Sequence, residues 1–127
     1  MQNLLLVDSS FYIRRMRSGG DPLAELAGIS LTHEIATCGM IMLEVLRGIR
    51  NERTLSIFQT GFSSMVYLSS SRLVWKAAAS IGHKLDRKGI ILPAPDLLIA
   101  ACAMDQDAML LTFDQHFAEI PGLRLMA

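Results

Sequence analysis

The stretch Pro93-Ala94-Pro95-Asp96-Leu97-Leu98-Ile99-Ala100-Ala101-Cys102-Ala103-Met104, followed by Ala108-Met109-Leu110-Leu111-Thr112, decides the fold class. The prolines can open a helix but not continue one, so a helix is expected to start here and run over Leu97–Met104. That helix is apolar on all sides, which predicts the most buried helix of the chain. The short apolar run Ala108–Thr112 just beyond it reads as a strand. Towards the C-terminus, Phe113–Phe117 turns into a short helix, Pro121-Gly122 breaks it, and Leu123–Met126 is predicted as a last edge strand. Towards the N-terminus, Ser69-Ser70-Ser71 offers caps for a helix with Val74, Ala78, Ile81 and Leu85 at helical spacing, and Gly89 supplies its stop. Its other face carries Arg72, Lys76, Lys84, Arg87 and Lys88.

The first half repeats the alternation. Leu4–Val7 is a continuous apolar run ending at Asp8-Ser9-Ser10, the pattern of a buried strand that feeds a helix through a cap, here Tyr12–Arg17. Ser18-Gly19-Gly20-Asp21-Pro22 stops that helix and starts another over Leu23–Ala27. Ser30–Thr37 reads as a second strand, Gly39–Arg50 as a helix, Asn51–Gly61 as another, and Met65–Leu68 as a short strand. Strands alternating with helices predict an α/β sandwich of three layers, with a mainly parallel sheet between helices. With 127 residues, no internal repeat and no linker, one domain over residues 1–127 is expected.

Apolar residues make up 51% of the chain and charged residues 19%, against roughly 25% charged in an average soluble protein. The surplus predicts a deep core, a partner surface, or both. Twelve basic residues balance twelve acidic ones, so any nucleic-acid binding must rest on local patches. Cys38 and Cys102 stand far apart and lack zinc-like spacing with His33, His83 or His116, so neither a disulfide framework nor a zinc site is indicated. The N-terminus lacks the features of a signal peptide, and no apolar stretch reaches the length of a membrane span. A cytoplasmic protein with no membrane association is expected.

Four carboxylates stand out. Asp8 and Asp114 sit at or just past strand ends, where parallel sheets gather ligands. Asp96 opens the apolar helix. Glu44 lies in a helix whose neighbours Met40, Ile41, Met42, Leu43, Val45, Leu46 and Ile49 fill nearly every direction, which predicts a largely buried carboxylate. Helix capping explains each aspartate singly, and pairing with Arg47 one turn away is the structural alternative for Glu44. If all four converge, an oxygen-rich site of this kind suits magnesium or manganese.

Taken together, four segments resemble the PIN domain, specifically its VapC-type toxin branch. They are Leu6-Val7-Asp8-Ser9-Ser10, Glu44-Val45-Leu46-Arg47-Gly48, Pro95-Asp96-Leu97-Leu98-Ile99-Ala100-Ala101 and Leu111-Thr112-Phe113-Asp114-Gln115-His116-Phe117, in matching order and spacing. The resemblance runs from Leu4 to Leu125, although Asn51–Leu92 matches only in helical character. It implies a divalent-metal-dependent endoribonuclease, using Mg2+ or Mn2+, with Asp8, Glu44, Asp96 and Asp114 as both metal ligands and catalytic acids. Thr112 matches the family's small hydroxyl residue near the site. Ser9 and Ser10 are read as helix caps, with Ser10 a secondary substrate-side candidate alongside His116 and Arg47, the first choice among Arg14, Arg15, Arg17, Arg47, Arg50 and Arg53 as basic residues that could hold phosphates, with Lys84, Arg87 and Lys88 further off. Cys38 stands where relatives often carry a hydroxyl.

The resemblance further implies cleavage of single-stranded or loop RNA, a small antitoxin protein as partner, and a homodimer. Two other roles for the same fold are a catalytically silent PIN-like binding module and a housekeeping RNA-processing nuclease. A receiver-type phosphorylation module also places aspartate after its first strand, but its adjacent acidic pair is replaced here by Asp8-Ser9-Ser10.

Overall fold

The structure is a computed structural model that describes Asn3–Met126. Four strands, β1 (Leu4–Val7), β2 (Glu34–Cys38), β3 (Val66–Leu68) and β4 (Met109–Leu111), form one sheet in the order β3-β2-β1-β4. All three pairings are parallel, with Leu5 aligned to Ile35 on one side and to Met109 on the other. Six helices flank the sheet: α1 (Ser9–Arg17), α2 (Pro22–Ile29), α3 (Gly39–Leu46), α4 (Glu52–Ser63), α5 (Arg72–Arg87) and α6 (Ala94–Asp105). A short 3-10 turn, Gln115–Glu119, follows β4. The α/β sandwich expected from the sequence is thus the observed architecture, with its sheet wholly parallel.

Because β1 is covered on both faces and bordered on both edges, Leu5, Leu6 and Val7 are completely buried, as a continuous apolar run demands. Phe11 and Tyr12 extend this core into an aromatic cluster with Phe58 and Phe62 of α4, in largely edge-to-face contacts at 5.3–6.3 Å. The apolar helix α6 buries Leu98 through Ala103 without interruption. It lies close against α5 because Gly82 of α5 has no side chain: a Cβ there would stand 2.7 Å from Leu97 Cδ1. Helix α5 ends as its glycine predicts, with Gly89 at φ +81° and the Ile90 N–H returning to the Leu85 carbonyl.

Two sequence expectations are corrected. The helix predicted over Gly39–Arg50 stops at Leu46, where three-residue turn bonds from Gly48 and Ile49 tighten the chain and Asn51 caps the next helix. So short a helix buries only Ile41 and Val45, and leaves Leu43 57% exposed. The predicted strand Leu123–Met126 is reduced to one parallel bridge, Leu110 to Leu125, because Gly122 at φ +84° brings the chain alongside β4 only briefly. Among the described residues no helix is long and apolar enough to cross a membrane. Leu73, Trp75 and Ile91 remain well exposed, which accounts for part of the apolar surplus.

Candidate active site

The carboxyl ends of β1 and β4 lie side by side, since Val7 pairs with Leu111 and the Asp8 N–H bonds the Leu111 carbonyl at 2.9 Å. Asp8 and Asp114 therefore leave the sheet together. Helix α6 brings Asp96 and α3 brings Glu44 to the same place. All four acids line one open cleft of about 540 Å³, together with Ser9, Ser10, Arg14 and Arg17.

Asp8 is 3% exposed and caps α1, accepting from the Ser10 N–H at 3.4 Å. The same Oδ2 accepts the Ser10 hydroxyl at 2.7 Å and the Thr112 hydroxyl at 2.8 Å. Each hydroxyl in turn accepts a backbone N–H: that of Phe113 on Ser10 Oγ, and that of Asp114 on Thr112 Oγ1, both at 3.0 Å. These bonds hold one oxygen of Asp8 and leave Oδ1 to the cleft. Thr112 thus shares with Ser10 the holding of this carboxylate oxygen. The serines, read from sequence as caps, do something else. Asp8 itself is the cap, Ser10 holds Asp8, and Ser9 donates to Glu44 Oε1 at 2.9 Å.

Asp114 also caps, accepting the His116 N–H at 2.9 Å, and His116 Nδ1 stands 3.2 Å from Asp114 Oδ1. Asp96 does not. The N-cap of α6 is Pro93, and the Asp96 carboxylate, one turn into the helix, takes no hydrogen bond among the described residues. Partial burial, with Asp114, Asp8 and Glu44 nearby, pushes its pKa from 3.8 up to about 6. The capping explanation therefore fails for the one acid whose charge is least compensated.

This is the test a divalent cation must meet, and the donor set meets it. Asp96, Asp114 and His116 each offer a ligand atom within 4.8 Å of the others, and Asp8 Oδ1 and Glu44 extend the oxygen set across the cleft. Carboxylate oxygens suit magnesium or manganese, and an imidazole among them is better tolerated by manganese. His116, expected on the substrate side, belongs to this group by geometry. Arg47 does not reach it: it is exposed, makes no ion pair with Glu44, and lies outside the cleft lining.

Arg14 and Arg17 hold the position the sequence reading favoured for Arg47. Both are among the sequence's phosphate candidates, and their spacing carries the signal that ranks them first: Ser10, Ile13, Arg14 and Arg17 recur at i, i+3, i+4 and i+7, one helical face from the capped end of α1. The Arg14 guanidinium lies 4.7 Å from the centroid of the Phe113 ring. Behind the site, Cys38 and Cys102 are close enough to perturb each other's titration, and both are buried and free of a disulfide. That contact and the Ser70 hydroxyl at 3.5 Å draw the Cys102 thiol down to about 7, while the same contact and burial push Cys38 up.

Solved structures share this fold at low sequence identity. VapBC2 from Rickettsia felis, bound to a DNA fragment from its promoter, superposes with a TM-score of 0.82 at 22% identity, covering 97% of both chains. DNA-bound VapBC from Salmonella typhimurium gives 0.82 at 21% identity, covering 99% of this chain and 98% of the other. VapBC-5 from Mycobacterium tuberculosis, of the VapBC family of toxin–antitoxin systems, gives 0.65 at 20% identity over 96% and 98%. No curated protein matches the sequence significantly. Residues 5–123 match the family model of the PIN domain, a span that takes in the four acids, their hydroxyl supports and His116. This chain belongs to the PIN-domain family.

Proposed function

We propose that this protein is a Mg2+- or Mn2+-dependent endoribonuclease and the toxin of a toxin–antitoxin pair. The observation that carries the reading is the convergence of Asp8, Glu44, Asp96 and Asp114, from four separate elements, on one cleft in which the Asp96 carboxylate is left unpartnered. A cation bound there supplies acidification of a water and neutralisation of charge on a phosphodiester. The protein's own groups provide the rest. Ser10 and Thr112 fix Asp8, Ser9 fixes Glu44, and the Asp114 cap fixes its own carboxylate, so three of the four acids are oriented before any ligand arrives. Asp96, with its pKa near 6, holds a proton more readily than an ordinary aspartate and releases it when positive charge enters. No serine, cysteine or histidine nucleophile is called on.

The toxin assignment, with a small antitoxin and a second copy of the chain as partners, is supported by the VapBC names of the solved neighbours and by exposed Leu73, Trp75 and Ile91. Cytoplasmic RNA is the matching substrate. The whole chain, 1–127, acts as one domain in this reading. The test is cleavage of a mixed RNA pool by purified protein in magnesium, manganese or EDTA, beside Asp96→Asn. Metal-dependent cutting that the variant loses is the expected result. No cutting, together with no metal-induced thermal shift, would instead identify a silent binding module.

A further inference from the structure

Beside the acid cleft lies a groove of about 390 Å³ that shares Ile13, Arg17 and Glu44 with it as lining. Its floor is apolar, formed by Ile13, Val45 and Ile49, and its rim carries Arg17, Arg50 and Asn51. Asn51 spends its side-chain carbonyl on the α4 cap, accepting from the Thr54 N–H at 2.9 Å and the Thr54 hydroxyl at 3.3 Å. Its amide N–H2 donates to none of the described residues. Neither Arg14 nor Arg17 forms an ion pair among the described residues, although four carboxylates share their cleft. Arg14 instead rests on Phe113 with its N–H fork free.

We propose that this groove is a nucleotide subsite: it takes the unpaired base next to the scissile phosphate, while Arg14 and Arg17 hold phosphates beside the acids. The inference rests on the nuclease reading above and adds to it the residues that place the substrate. A flexible polyanion entering a cleft of four acids needs fixed cations, and the two uncommitted arginines of α1 stand at that cleft. The next nucleotide of a strand held there has the adjoining groove to enter. An apolar floor with a free amide donor and two rim cations suits a splayed base and its phosphate, as in single-strand recognition generally. Charge favours this occupant over a neutral peptide.

The experiment is fluorescence anisotropy of a short labelled single-stranded RNA in calcium, a hard cation that favours the same oxygen ligands. Each base is removed in turn to leave an abasic position. For the wild type, one abasic position is expected to weaken binding by about tenfold and its neighbours far less. Arg14→Ala and Arg17→Ala are each expected to flatten the slope of log K against log salt by about 0.7, the value for one phosphate on a single strand. Gly48→Leu places a side chain in the groove, where the added Cβ meets nothing nearer than the Val45 carbonyl oxygen at 3.7 Å. This variant is expected to erase the abasic effect and keep the salt slope. RNA binding with a flat abasic scan, or with unchanged slopes in both arginine variants, would overturn the subsite and leave the nuclease reading intact. Absence of RNA binding under every cation, with no cleavage of the RNA pool, would overturn both. If Gly48→Leu blocked a co-expressed protein partner while the scan stayed flat, the groove would be a protein interface.

Discussion

Replacing Asp96 by Asn should stabilise the metal-free protein at neutral pH, although the same change is expected to abolish cleavage. Raising a carboxyl pKa from 3.8 to about 6 is worth about 3 kcal/mol for a group wholly removed from water. Asp96 is only half-buried, and solvent screening reduces this to about 1.5 kcal/mol. The N-terminus of α6 favours the ionised form by a further 0.3–1 kcal/mol or so, leaving a net gain of about 1 kcal/mol for the neutral amide. The sign follows from linkage. The folded pKa is the higher one, so the wild type loses stability as pH rises from 3.8 to about 6, and Asn at this position loses none.

Urea unfolding in EDTA reads this directly. At pH 7.5 the midpoint of the Asn variant should exceed that of the wild type by about 0.5–1 M, and the gap should roughly halve by pH 5 and close below pH 4. Adding magnesium or manganese should reverse the order, because only the wild type gains a binding free energy. A variant equal to or weaker than the wild type in EDTA at pH 7.5, or a gap unaffected by pH, would show that Asp96 is not held against its neighbours' charge.

Two further outcomes are expected. Thr112→Val removes a hydroxyl that donates to Asp8 and accepts from the Asp114 N–H, and should cost about 1–3 kcal/mol in chemical denaturation and lower cleavage more than it raises KM; unchanged turnover would separate Thr112 from the site. The Cys38 and Cys102 thiols, 0% and 1% exposed, should react with a thiol reagent only as fast as the protein opens, so that labelling in native buffer is much slower than in urea; prompt labelling in native buffer would place them nearer the surface than the structure does.

Much of this site can be read from the chain because its acids sit where local rules are strong. A short apolar run that ends in aspartate announces both a strand end and a cap, and Asp8 and Asp114 are each of these. Asp96 looks like a third cap in sequence, but prolines at 93 and 95 move the true helix start back to Ala94, a shift that only the folded backbone displays. The serines differ from expectation for a related reason: local spacing says that Ser9 and Ser10 can cap, and cannot say that Glu44, 35 residues away, comes within reach of Ser9. Arg47 was favoured by its nearness to Glu44 in sequence, yet a two-turn helix with one face outside the core turns it away from the cleft. The proximity of Cys38, at the end of β2, to Cys102 of α6 is a tertiary relation with no local signature.

The parallel pairing of β1 with β4 also bears on the order in which the protein is made. Asp8 is synthesised over a hundred residues before the Thr112 hydroxyl that holds it and the Leu111 carbonyl that takes its N–H. A growing chain that has reached the end of α6 already carries Asp8, Glu44 and Asp96, but has neither β4 nor Asp114 to close the cleft. Under the proposed activity, a nascent chain at that stage would have no assembled centre with which to cut the RNA around it, and a fragment ending at Asp105 would keep three of the four acids and none of the cutting.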